Sequence, residues 1–110
     1  MDRQRFILDK LSRLKEPFYL SVNGDSMSPT INSGDNIYVN LYKKDPLGIG
    51  DIVVYCKFQD HLTVHRIINI VKLSNKRFYC ETKGDNNTEI DPYKVFSNEI
   101  IGIVQLERTE

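Results

Sequence analysis

The sequence predicts a mostly β domain, a small barrel of short strands preceded by one amphipathic N-terminal helix. Three observations point there. After Pro17 the chain falls into short runs rich in Val, Ile, Tyr and Phe. Each run is bounded by Gly, Pro, Asn or Asp. Before Pro17 the apolar residues are spaced as on a helix instead.

Taken in order, residues 1–16 form the helical segment and residues 17–110 the β domain. Ile7, Leu8, Leu11 and Leu14 make one apolar stripe, and Pro17 stops it. The stripe packs on the parent domain or docks to a membrane surface or partner. "FYLSV", "NIYVNLY", "DIVVYCKF", "HLTVHRIINIV", "RFYCETK" and "EIIGIVQLE" follow as strands. "KKDPLGIGD", Gln59-Asp60 and "LSNK" read as turns, with a hairpin at Gln59-Asp60. Short strands joined by tight turns favour a small barrel or sandwich.

A chain of 110 residues is one domain by length. Fifteen basic and fifteen acidic side chains cancel, so there is no electrostatic footprint for nucleic acid. There is no polybasic signal for lipid either. No apolar run approaches the roughly 20 residues needed to span a bilayer. "MDRQRFILDKLSRLKEP" is too often interrupted by charge to be a signal peptide or anchor. The expectation is a soluble, cytoplasmic protein whose membrane contact is peripheral or through a partner. Cys56 and Cys80, without a Cys-x-x-Cys pattern, are expected as buried or half-buried thiols.

The stretch "NGDSMSPTINSGD" holds two Gly-Asp turns around Ser26. His65 lies in "TVHRI", Asp85 in "KGDNN" and Asp91 in "TEIDP". Each is also an ordinary turn or strand residue taken alone. Together they have a chemistry. A serine hydroxyl is a weak nucleophile until a base takes its proton. Imidazole, with an ordinary pKa of about 6.5, suits that base role near neutrality. A carboxylate orients the ring and stabilises its charged form. Ser26, His65 and Asp91 offer these three roles.

Other groups weigh less. His61 and His65 are four apart, but their segment reads as a strand and lacks a clear third ligand, so no metal is expected. Alternation puts His61, Thr63 and His65 on one face and Arg66 on the other, where a carboxylate partner is expected. Lys57, Lys72 and Lys83 read as solvated surface residues. No cofactor is implied.

"GDSMSPT", "GDIVVY", "HRI" and "KGDNN", in that order, resemble the boxes of the signal peptidase I superfamily, which includes the LexA-like self-cleaving repressors. The likeness covers residues from about 18 to 106. It implies a signal-peptidase/LexA-like β fold with Ser26 as nucleophile. Common bacterial members carry Lys at the position of His65. The His form is that of the endoplasmic-reticulum, archaeal and sporulation-type branch, and it implies a Ser-His-Asp arrangement. In this chain His65 then acts as general base. Asp91, six residues past the box aspartate, orients it, and Asp85 supports the site through the loop or His65. Some Lys-type members use a serine two positions before the nucleophile in the oxyanion hole. Here that residue is Gly24, which leaves the Ser26 N–H and a second donor. Met27 and Pro29 shape the substrate groove or serve packing and turn rigidity.

The function implied is a serine endopeptidase removing a leader or signal-like segment from a specific precursor, through an acyl-enzyme on Ser26. The substrate is expected to have small residues at the cleavage site and to bind as an added β-strand. Two alternatives stand beside it. One is a LexA-type self-cleaving regulator domain, against which stand the single N-terminal helix, the neutral charge and His65. The other is a non-catalytic peptide-binding module.

Overall fold

The computed structural model describes residues 16–43, 46–58 and 61–106. The expected N-terminal helix, and the turn residues Gln59-Asp60, lie outside them. The strands are β1 (Phe18–Ser21), β2 (Asn36–Leu41), β3 (Ile52–Tyr55), β4 (Thr63–Ser74), β5 (Arg77–Lys83), β6 (Val95–Phe96) and β7 (Ile100–Gln105). A 3-10 turn at Ser97–Glu99 separates the last two.

All seven strands join one antiparallel sheet in the order β1-β2-β7-β3-β4-β5-β6. The expected barrel is therefore not closed. β1 and β6 are edges, and the sheet is a curled half-barrel. Among the described residues β6 is two residues long and pairs with β5, and no pairing joins it to β1.

β3 explains the packing. All four of its residues are buried, as expected of a strand covered on both faces. Ile52 and Val54 join a core with Met27, Ile31, Ile37, Val39 and Val104. Val53 and Tyr55 face the other way, into a core with Ile67, Cys80, Val95 and Ile100. Both thiols are buried, and burial pushes Cys80 up to about 11.

Register carries these faces onto β4. His65 pairs with Val53 and Arg66 with Ile52. Directly paired residues project to the same side of a sheet, so His65 shares the Tyr55 face and Arg66 the Met27 face. On β5, Thr82 pairs with Ile67 and so lies on the His65 side. β4 also runs three residues past the expected end at Val71, because Lys72 and Ser74 still pair with Phe78 and Arg77 across the hairpin.

Candidate functional site

Ser26 sits in a loop folded tightly between β1 and β2. Gly24 and Gly34 adopt φ of +100° and +96°, a region that strains other residues. Val22 N–H donates to the Asp35 carbonyl and Gly34 N–H to the Val22 carbonyl, which closes the loop base. Ile31 N–H donates to the Met27 carbonyl at 2.9 Å. Met27 and Ile31, each 2% exposed, anchor the loop in the first core. For Met27 the sequence left a substrate-groove role and core packing open. Its side chain lies in the core, and its Sδ accepts the Asp85 N–H at 3.3 Å. Pro29 is exposed on the outer side of the loop.

A second loop, residues 84–94, leaves β5 and folds over the first. Asn86 N–H donates to the Ser26 carbonyl at 2.8 Å, and Asn86 Nδ2 to the Asp25 carbonyl at 3.1 Å. Gly84 makes this approach possible. A Cβ there would lie 2.6 Å from the Ser26 carbonyl oxygen and 3.1 Å from His65 Nε2.

The two loops and β4 bring Ser26, His65 and Asp91 into line. His65 Nε2 is 3.1 Å from Ser26 Oγ. His65 Nδ1 is 2.6 Å from Asp91 Oδ2. His65 is 8% exposed, so its ring is largely shielded from water. Asp91 Oδ2 also accepts from Thr82 Oγ1 at 2.7 Å and from the Tyr55 hydroxyl at 3.4 Å. The Tyr55 hydroxyl in turn contacts that of Tyr93 at 2.8 Å. Burial raises both tyrosines above their ordinary range, so both keep their protons near neutrality.

An ionised carboxylate only accepts hydrogen bonds. Nδ1 of His65 must then carry the proton. Nε2 is left with a lone pair facing the Ser26 hydroxyl. Such an imidazole can take the proton of that hydroxyl. Among the described residues no bond occupies the Ser26 N–H, which remains available to a ligand oxygen.

Asp85 does something different. Arg66 Nε donates to its Oδ1 at 2.8 Å and Arg66 NH2 to its Oδ2 at 2.7 Å. Thr30 Oγ1 adds a bond to Oδ2 at 2.7 Å. The Arg66 bonds, helped by Thr30 and opposed by burial, hold the carboxyl down to about 2. Asp85 thus supports the loop that carries Ser26, while the carboxylate on His65 is Asp91. Arg66 meets the carboxylate expected of it.

The lysines lie elsewhere. Lys57 pairs with Glu99 at 3.2 Å. Lys83 caps the carbonyls of Gly84 and Asn87 at 3.0 and 2.6 Å. Lys72 is exposed on the far half of β4. No cluster among the described residues could hold a metal ion. A groove of about 650 Å³ runs past Tyr42, Leu47, Ile70 and Phe78, at the hairpin end remote from Ser26.

Thr82, Tyr55, Tyr93, Thr30 and Gly84 were not singled out from sequence. Thr82 had a usable signal. Alternation with Cys80 buries it on a core face, and a buried hydroxyl needs a partner. Tyr93 and Thr30 had none, because their roles depend on which loops meet.

The Peptidase S24-like family model matches residues 2–105. The chain is 34% identical over 82 residues to the signal peptidase complex catalytic subunit SEC11C of Homo sapiens, covering 74% of this chain and 42% of that protein. The corresponding subunit of Dictyostelium discoideum is 33% identical over 78 residues, covering 70% and 42%. That of Schizosaccharomyces pombe is 30% identical over 111 residues, covering 76% and 58%. The chain thus spans roughly two fifths to three fifths of the length of these relatives. No helix among the described residues is long and apolar enough to cross a membrane. With boxes, sheet and family match in agreement, this chain belongs to the Peptidase S24-like family, within the signal peptidase I and LexA-like superfamily.

Proposed function

We propose that the chain is a serine endopeptidase of the signal-peptidase type, with Ser26 as nucleophile, His65 as general base and Asp91 as the group that orients it. The observation that carries this is the unbroken line Ser26 Oγ, His65 Nε2, His65 Nδ1, Asp91 Oδ2, at 3.1 and 2.6 Å. His65 takes the Ser26 proton as Oγ attacks the scissile carbonyl. The Ser26 N–H receives the developing oxyanion, with a second donor beside it. The C–N bond breaks as His65 returns the proton to the leaving amine. An ester on Ser26 remains, and water activated by the same imidazole hydrolyses it.

The substrate is a precursor polypeptide with a leader or signal-like segment and small residues at the cleavage site. It binds extended along a sheet edge. β1 is such an edge, and its chain runs directly into the Ser26 loop. The relatives' names, which specify catalytic subunits of signal peptidase complexes, support this substrate class. A soluble, cytoplasmic enzyme that meets the membrane only peripherally or through a partner completes the reading. Fractionation of cells making the native full-length protein tests that part, and recovery as an integral membrane protein refutes it.

The chemistry is tested by cleavage of a mixed library of leader and signal peptides, read by mass spectrometry. Labelling by a serine-reactive phosphonate is followed in parallel. Wild type is expected to cut after small residues and to label on Ser26. Ser26→Ala and His65→Ala should lose activity by on the order of 10⁴-fold or more. Asp91→Asn should lose about 10³–10⁴-fold. Cleavage by Ser26→Ala at the wild-type rate, or labelling elsewhere, overturns the proposal. A protein that neither cuts nor labels is a peptide-binding module instead.

A further inference from the structure

Asp91 sits in a loop, yet its carboxylate must hold station against an imidazole on a strand. Thr82, the next-to-last residue of β5, grips it at two points. The Asp91 N–H donates to the Thr82 carbonyl at 2.8 Å. Thr82 Oγ1 donates to Asp91 Oδ2 at 2.7 Å. Thr82 is 0% exposed, so water cannot replace its hydroxyl.

The donor inventory limits where the protons behind it can go. Thr82 has one hydroxyl proton and gives it to Asp91. The single Tyr55 proton is then shared between Thr82 Oγ1 at 3.1 Å and Asp91 Oδ2 at 3.4 Å. Tyr55 has then no further proton, so its 2.8 Å contact with Tyr93 has Tyr93 as donor. The order is Tyr93 to Tyr55, then Tyr55 and Thr82 to Asp91, with His65 Nδ1–H arriving from the other side. Aligned donors of this kind polarise one another in a low-dielectric interior.

We propose that Thr82, backed by Tyr55 and Tyr93, is a positioning residue that holds the Asp91 carboxylate on Nδ1 of His65 and so fixes the tautomer that presents Nε2 to Ser26. This rests on the reading of Ser26, His65 and Asp91 as a catalytic triad. It adds to that reading a reason for the ring to stay in place. Thr82 is paired with Ile67 in the β4–β5 ladder, a firmer mount than the loop that carries Asp91.

The test uses full-length protein labelled with ¹⁵N in the histidine rings. The chain has two histidines, so the exposed His61 serves as internal reference. Thr82→Val keeps shape and removes the hydroxyl, and Thr82→Ser restores it. In wild type the His65 ring is expected to show a protonated Nδ1 and a bare Nε2. In Thr82→Val the Nδ1-bound proton signal should broaden and the ring nitrogen shifts move toward a tautomer mixture, with His61 unmoved. Thr82→Ser should return both to wild type. On a cleaved peptide, kcat should fall by roughly ten- to a hundredfold in Thr82→Val, with KM within about twofold.

Tyr55→Phe reads the same chain one link further back, and stands in if Thr82→Val does not fold. It should broaden the same His65 signal to a smaller extent. Unchanged His65 ring signals in whichever of these variants fold overturn the proposal. If the ring signals respond as expected but neither wild type nor variant cuts any peptide, the positioning role stands and the peptidase reading fails.

Discussion

Gly84→Ala probes how closely the two loops must approach for the proposed chemistry. The added Cβ would sit 2.6 Å from the Ser26 carbonyl oxygen, where ordinary contact begins at 3.4 Å, a shortfall of about 0.8 Å. It would also lie 2.7 Å from Asn87 Nδ2 and 3.1 Å from His65 Nε2. The Ser26 oxygen is backbone and already accepts the Asn86 N–H at 2.8 Å, so it cannot swing aside. The second loop must therefore back away from the first. The 3.1 Å approach of His65 Nε2 to Ser26 Oγ opens with it. Displacement approaching 1 Å at a reacting pair costs about a hundredfold in rate. The crowding itself should cost about 1–3 kcal/mol of stability. Phosphonate labelling of Ser26 reads the first quantity and urea unfolding the second. Gly24→Ala is the control. No atom lies near its Cβ, and its cost comes from a φ of +100°. Labelling of Gly84→Ala within twofold of the wild-type rate would refute the reasoning, since the steric conflict would then have been absorbed away from the serine.

Two further outcomes follow from the same contacts. Asp85 has its carboxyl lowered from 3.8 to about 2, chiefly by Arg66. The stability this contributes is complete above the ordinary carboxylate range and is lost as pH falls from about 4 to about 2. Urea unfolding of wild type should therefore lose about 2 kcal/mol more than Asp85→Asn between pH 6 and pH 2, and an equal gap at both pH values would refute the assignment. Gly102→Ala should destabilise by about 1–3 kcal/mol without altering Ser26 labelling beyond the folded fraction. Its Cβ would press on buried Val39 and lie 2.7 Å from the Asn40 carbonyl oxygen. A melting temperature equal to wild type would show that β2 and β7 can separate at no cost.

The strands were legible where side chains alone define them. β5 matches "RFYCETK" residue for residue, and β2 and β7 lie inside their runs. β3 ends before Cys56, because Cys56 N–H turns to the Glu99 carbonyl and leaves the pairing with β4. β6 was not legible, since two residues carry no alternation. Closure was overestimated for a related reason. Runs of β-branched residues announce strands but not whether the two edges find each other. At the site, Ser26, His65, Asp85 and Asp91 were visible as motif residues. Of the groups that hold them, Thr82 showed only as a buried hydroxyl in need of a partner, and Tyr93 and Thr30 did not show, because their roles arise only when the two loops meet.

The two aspartates of the 84–94 loop differ because β4 alternates. His65 and Arg66 are neighbours in sequence and point to opposite faces of the strand. Arg66, on the Met27 face, takes Asp85 by two parallel bonds, a fork geometry suited to a fixed carboxylate. His65, on the Tyr55 face, takes Asp91 through one nitrogen and keeps the other for Ser26. Exchange of roles is blocked by charge. Asp85 already faces a guanidinium, so an imidazolium beside it would gain little from a carboxylate so committed. Among the described residues the other side-chain partners of Asp91 Oδ2 are neutral hydroxyls, so no cation draws it from the ring. A permanently cationic partner at Thr82 would do so. Thr82→Lys should therefore abolish Ser26 labelling even where the chain folds, whereas Thr82→Ser should retain it. Labelling of a folded Thr82→Lys protein at the wild-type rate would show that the charge on Asp91 is immaterial to the base.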